Sequence, residues 1–186
     1  MEPAVHHQLL DLARRSVAAA ARGDGAQIPR PDGDAILDAP RAVFVTLHTA
    51  EGALRGCVGT TAATKPLHEA VADMARAAAL RDPRFEPVVE AEVDDLEIEI
   101  SVLNPLEPIE SIDEIRVGRD GLVVEGRGRR GLLLPQVAAE REWSARTFAA
   151  MTCEKAGLPQ DAYLGDDVAV FKFSTENFGP PRHPSR

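Results

Sequence analysis

The sequence predicts an α+β protein with a mixed, largely antiparallel sheet, and three observations carry that prediction. Amphipathic stretches of helical period alternate along the chain with short stretches of period two. Several of the period-two stretches are joined by turns too tight for a parallel crossover, which needs a dozen or more residues. The composition, 44% apolar and 27% charged over 186 residues, is that of a globular chain able to bury a substantial core. The expected organisation is a single domain over 1–186, with two interleaved subdomains as the alternative and a polar tail over 175–186.

His7 to Ala21 carries Leu9, Leu10, Leu12, Ala13, Val17 and Ala20 at helical spacing and ends at Arg22-Gly23, a cation followed by a terminating glycine. Gly23 to Pro40 is rich in Gly, Pro and Asp, with Ile28, Ile36 and Leu37 as its apolar anchors, and reads as a long ordered loop. Ala42 to His48 alternates, and Ala50-Glu51-Gly52 turns it back into Ala53 to Val58 as a hairpin. Pro66 opens a helix in which Leu67, Ala70, Val71, Met74 and Ala78 share a face up to Ala79. Arg81-Asp82-Pro83-Arg84-Phe85-Glu86-Pro87 follows as a loop, since its prolines forbid further helix.

Leu96, Ile98, Ile100 and Val102 alternate with Glu97, Glu99 and Ser101, which predicts a half-buried strand with two carboxylates on its solvated face. Short strands over Ile115 to Val117 and Leu122 to Glu125 are expected to form a second hairpin turned by Arg119-Asp120-Gly121. Gly131 to Leu134 reads as a buried strand, and Pro135 starts a helix running towards Arg141. Ser144 caps a helix carrying Phe148, Met151, Thr152 and Ala156, stopped by Gly157. A last strand, Val168 to Phe173, precedes the tail.

A net charge of −9 and 4% aromatic content argue against nucleic acid as a partner, because phosphate binding needs a clustered basic face and base stacking needs aromatic platforms. Cys57 and Cys153 stand far apart with no ligand spacing around them, so neither a disulfide framework nor a metal site is expected and a reducing cytoplasm is the default. No secretory leader and no run of about 18 apolar residues is present, which predicts no membrane association. Nothing in the sequence calls for a cofactor.

Leu54-Arg55-Gly56-Cys57-Val58-Gly59-Thr60 concentrates one arginine and one thiol between glycines on a strand. Gly56 and Gly59 lack a Cβ and so permit close approach of a ligand or of another backbone. Cys57 reads either as a nucleophile activated by Arg55, Arg81 or Arg84, or as a small packing residue. A nucleophile also needs a base, and His48 is the nearest candidate if the hairpin sets it opposite. Arg55 is either an anion-binding group or one half of an ion pair with Glu97, Glu99 or Asp82. Arg81 and Arg84 around Asp82 offer a second anion-binding element or a solvated turn. Glu125 to Arg130 packs Arg127, Arg129 and Arg130 near glycines and reads either as a phosphate-binding loop or, the stronger reading, as a solvated hairpin tip.

The chain resembles the AMMECR domain family, whose members include the Alport-associated chromosomal-region protein and protein A of the AmmeMemoRadiSam system. Leu54-Arg55-Gly56-Cys57-Val58-Gly59, Arg81-Asp82-Pro83-Arg84-Phe85, Ile98 to Leu103 and Val117 to Leu122 carry the resemblance, as do Leu132 to Ala138, Trp143 and Thr152 to Pro159. Val58 stands where the family usually has isoleucine, a tolerable apolar swap. His6, His7, His48, His68 and His183 fall outside the pattern, so no histidine base is carried over. The resemblance implies larger and smaller subdomains around a cleft, and it supplies no reaction. Two functions are therefore expected. The first is an enzyme or enzyme component that binds a small anionic ligand through Arg55, Gly56, Gly59, Arg81, Asp82 and Arg84, with Cys57 as catalytic residue. The second is a non-catalytic partner of radical SAM and MEMO-like proteins; the chain lacks the Cys-x3-Cys-x2-Cys motif of a radical enzyme.

Overall fold

A computed structural model of the protein describes residues 1–25 and 29–180. Ile28, one of the three expected loop anchors, and the tail beyond Pro180 lie outside the described residues. Among the described residues the chain divides into two compact units, one made of residues 1–102 with 176–180 and the other of Leu103–Thr175.

The first unit opens with α1, Pro3–Ala21. It starts four residues before the His7 that periodicity suggested, because Pro3 supplies the preset φ of a first turn and Val5 extends the buried face. The predicted stop at Arg22-Gly23 holds. Gly23 takes φ 69°, its N–H reaches Ala20 O at 2.9 Å, and Asp24 N–H reaches Ala19 O at 2.8 Å, the paired bonds of a Schellman end. Within the loop expected over 23–40, Ala35–Asp38 forms a single helical turn of the 3₁₀ type, capped by the Asp34 carboxylate, that drops Leu37 into the core.

Strands β1 (Ala42–His48) and β2 (Leu54–Thr60) pair antiparallel as predicted, with Val43, Val45 and Leu47 fully buried. Their register runs evenly from Val43 opposite Thr60 to Leu47 opposite Gly56, then slips so that His48 faces Leu54. Arg55 is the extra residue of that bulge. Helix α2 (Leu67–Leu80) packs Leu67, Ala70, Val71, Ala75 and Ala78 into the same core as α1 and β1. Small alanines on this face let the helix come close to the strands, which is how a chain with few aromatic residues still fills its interior.

β3 (Glu97–Leu103) lies beside β1 on the side away from β2. The expectation of a half-buried strand is corrected here, because every residue from Ile98 to Leu103 is buried, Glu99 and Ser101 included. At Glu99 the end of the chain contributes: Gly179 lies so close to Ile98 and Glu99 that a Cβ would meet the Ile98 carbonyl oxygen at 2.6 Å. Alternation along one strand cannot report what covers its second face.

The second unit contains β4 (Glu107–Pro108), β5 (Asp120–Gly126), β6 (Arg129–Leu133), α3 (Pro135–Glu140), α4 (Ala145–Lys155) and the start of β7 (Val168–Phe178). β5 pairs antiparallel with both β6 and β7, and β4 pairs antiparallel with β7. The hairpin expected around Arg119-Asp120-Gly121 is not formed. Asp120 and Gly121 instead begin β5, and the true hairpin turns at Arg127 and Gly128, both with positive φ. The Asp-Gly pair is consumed otherwise: the Asp120 carboxylate takes the Arg116 N–H at 2.9 Å, and Gly121 makes room for the Phe173 ring. Ser144 caps α4 through the Thr147 N–H at 3.1 Å, and Gly157 (φ 73°) ends it, both as predicted. A second core gathers Leu122, Val124, Ala138, Phe148, Cys153 and Val170. β7 runs five residues past the Phe173 expected as its end, and its last residues belong to the first unit.

Candidate functional site

Within the first unit, β2 and the loop after α2 bring Arg55, Gly56, Cys57, Gly59, Asp82 and Arg84 together, and the arrangement is closed on itself. Asp82 is 5% exposed. Its carboxylate accepts the Cys57 backbone N–H at 2.8 Å, the Arg84 N–H at 3.1 Å, and the Arg84 guanidinium at 2.9 and 2.7 Å. The Arg84 guanidinium beside it holds this carboxyl well below the ordinary range; burial opposes ionisation, and the two backbone donors help to outweigh it. In return Asp82 raises the pKa of Arg84. One buried aspartate thus fastens the loop to the middle of β2.

Arg55 is saturated too. Its guanidinium grips Glu92 through Nε at 2.9 Å and Nη2 at 3.0 Å, and Nη1 donates to the Glu86 carbonyl at 2.9 Å. The structural alternative for Arg55 is therefore the one observed, with Glu92 in place of Glu97, Glu99 or Asp82. The bulge explains the change of partner, since it turns Arg55 away from the alternation that would have pointed it along the Cys57 side. Glu92 also accepts the Val89 N–H at 2.9 Å, and Arg55 first and then that N–H lower its pKa. Glu92 was invisible as a site residue; the available signal was its place three residues after Val89, where a glutamate reaches back to an unpaired backbone donor.

Both motif glycines admit protein. A Cβ on Gly56 would overlap the Ala78 carbonyl oxygen at the end of α2, and one on Gly59 would overlap the Phe44 ring. Cys57 is half-buried, and its Sγ accepts the Thr46 hydroxyl from directly across the hairpin at 3.3 Å. His48 sits opposite Leu54, so it is not the base facing the thiol. Arg84 leaves 55% of its side chain in solvent, with its guanidinium 5.5 Å from the Phe85 ring centroid, and Arg81 is exposed at the end of α2.

Unit two repeats the device. Asp120, 2% exposed, accepts the Arg119 guanidinium at 2.7 and 3.0 Å as well as the Arg116 N–H. Burial pushes its pKa up, and the Arg119 and Arg116 donors overcome that and leave it lowered. The Arg127 expected at a hairpin tip is there, tied to Asp167 at 2.7 Å. No trio of His, Cys, Asp or Glu side chains among the described residues is placed to hold a metal ion.

An α+β chain of two units, with an Arg-Gly-Cys strand locked by a buried aspartate to an Arg-Asp-Pro-Arg loop, is the class that the fold and this cluster define. The AMMECR1 family model matches residues 10–178, and the chain belongs to that family. A protein of Thermococcus gammatolerans is 44% identical over 189 residues, covering 96% of this chain and 92% of its own. One from Methanothermobacter thermautotrophicus is 48% identical over 144 residues, 74% of each chain. The crystal structure titled "Uncharacterized Protein PH0010" from Pyrococcus horikoshii superposes with a TM-score of 0.78 at 44% identity, covering 92% of this chain and 89% of that one. The antiparallel α+β fold agrees with that neighbour.

Proposed function

We propose that this protein is a non-catalytic partner that docks onto other proteins through the surface around the Arg-Asp-Pro-Arg loop, its partners being the radical SAM and MEMO-like proteins of a three-part system. One observation carries the reading: Arg55 and Arg84, the cations expected to hold a small anion, are both chelated by carboxylates of the chain itself. Such a network stabilises a shape and leaves little charge for a ligand. Large apolar side chains stand exposed around it. Leu54 precedes Arg55, while Leu80 and Val89 flank the Val88 N–H to Ala79 O bond at 2.8 Å that holds the loop's two ends together. Apolar side chains held exposed on a rigid frame offer area that a partner can bury. No described helix is long and apolar enough to cross a membrane, so these side chains are not part of a spanning helix.

The test is sedimentation of the chain mixed with purified radical SAM and MEMO-like proteins, in wild-type form and as the Leu80→Asp/Val89→Asp double variant. A complex formed by the wild type and lost in the variant at unchanged melting temperature supports the reading. No complex at micromolar concentrations overturns it.

A second reading, thiol chemistry at Cys57 with a small anionic substrate, is favoured by the partial burial of Cys57 and by Arg84, whose Nη2 lies 3.5 Å from the Cys57 carbonyl. Under it Arg81 and Arg84 would hold the anion and Gly56 and Gly59 would shape the floor. Its test is the alkylation rate of Cys57 against pH in a Cys153→Ala background. A midpoint well below the roughly 8.5 of a free thiol supports an activated nucleophile, and an ordinary midpoint removes it.

A further inference from the structure

A strand at the edge of a sheet presents a row of N–H and C=O groups to which another chain can add a strand, and native sheets cover or shorten such edges. Among the described residues β2 stands at one end of the sheet order, beside β1. Cys57 shows which of its backbone groups face outward. Its N–H goes to Asp82 rather than to β1, and its Sγ lies 3.3 Å from the hydroxyl of Thr46 directly opposite, the close side-chain approach of a pair that exchanges no backbone bonds. The N–H and C=O of Cys57 therefore both point out of the sheet.

A neighbouring strand at that place would supply one acceptor and one donor. The Arg-Asp-Pro-Arg loop supplies both from side chains: the Asp82 carboxylate accepts the Cys57 N–H at 2.8 Å, and Arg84 Nη2 stands 3.5 Å from the Cys57 carbonyl oxygen. Carboxylate and guanidinium are bound to each other at 2.7 and 2.9 Å, which makes the pair one rigid unit. Further along, the bulge residue Arg55 donates to the Glu86 carbonyl at 2.9 Å, so the loop runs beside the outer edge from Cys57 to Arg55. Pro83 and Pro87 in this loop have no N–H to offer, and the loop covers the strand without becoming one that a further chain could extend. At its other end the edge is short: β2 stops at Thr60, whose hydroxyl accepts the Ala62 N–H at 3.1 Å.

We propose that the Asp82–Arg84 pair stands in for a neighbouring strand and keeps β2 from pairing with β2 of a second copy of this chain. Two uncovered β2 strands laid antiparallel set Cys57 of one copy opposite Cys57 of the other, each donating its N–H and accepting at its C=O, so the bare edge is complementary to itself. The second arginine-locked aspartate supplies the comparison. Asp120 opens β5, which lies between β6 and β7, and its lock with Arg119 covers no outer edge of the sheet. The proposal does not rest on the docking reading, because it concerns the chain with no other protein present.

The experiment is sedimentation of the full chain over a range of concentrations as wild type, Asp82→Ala, Arg84→Ala and Asp120→Ala, with amide exchange at Cys57 followed on the same samples. Asp82→Ala is expected to self-associate about tenfold or more tightly than wild type, Arg84→Ala by a smaller factor, and Asp120→Ala no more than wild type although it too loses a buried lock. The Cys57 amide of Asp82→Ala should exchange freely when dilute and regain protection as the larger species forms. If Asp82→Ala does not fold, Arg84→Ala, whose side chain is 55% exposed, decides the matter by its sedimentation alone. Wild-type sedimentation of the folded variants, association shared equally by Asp120→Ala, or an associated Asp82→Ala species whose Cys57 amide stays unprotected overturns the proposal.

Discussion

Asp82 is the residue on which the motif cluster turns. Replacing it with alanine strands the Cys57 N–H and releases Arg84, and should cost about 2–4 kcal/mol in urea unfolding. The same residue predicts an acid dependence. Its folded pKa lies below its unfolded value, so the unfolded chain binds the proton more readily. The stability it contributes is complete at neutral pH, begins to fall as pH drops through about 4, and continues to fall towards the lower folded value. Urea midpoints measured between pH 7 and pH 3 should show a decline that Asp82→Asn makes shallower. Arg55→Ala should lower stability by about 1–2 kcal/mol, less than a fully buried pair because Glu92 is partly solvated. An unchanged midpoint would mean that the three bonds Arg55 donates to Glu92 and Glu86 contribute nothing. Gly56→Ala drives a methyl into the Ala78 carbonyl and should destabilise by about 1–3 kcal/mol, read from the same unfolding curves.

At the scale of elements, the sequence revealed the local grammar and missed what depends on distant neighbours. The Schellman end at Gly23, the Ser144 cap and the β1–β2 hairpin were legible because each is decided within a few residues. The Asp120-Gly121 turn was misread because a distant partner, the Phe173 ring, occupies the space at Gly121. Burial of Glu99 was missed because the segment at Gly179 comes from the far end of the chain. Of the cluster, Arg55, Cys57, Asp82 and Arg84 stood out, whereas Glu92 and Thr46 did not, since the bulge that aims Arg55 is set by pairing register. The two thiols give an element-level prediction. Cys153 on the core face of α4 is fully buried, and burial pushes its thiol pKa up. Native protein should therefore alkylate at Cys57 alone, with Cys153 reacting only on unfolding; mass spectrometry of the labelled peptides reads this directly.

At the scale of the molecule, the chain builds two separate cores, one led by Leu9, Val45, Val71 and Ile100 and one by Leu122, Phe148 and Val170. Each unit carries its own arginine-locked aspartate, Asp82 in one and Asp120 in the other. Amide exchange should accordingly resolve two groups of protected amides that respond separately to Asp82→Ala and to Asp120→Ala. Under the proposed function, the Arg-Gly-Cys and Arg-Asp-Pro-Arg motifs hold a docking surface in shape. Hydrogen exchange of the chain with and without the radical SAM and MEMO-like proteins tests this most directly. The account predicts new protection at 54–58 and 80–92 on complex formation, and protection confined to other segments, or none, would contradict it.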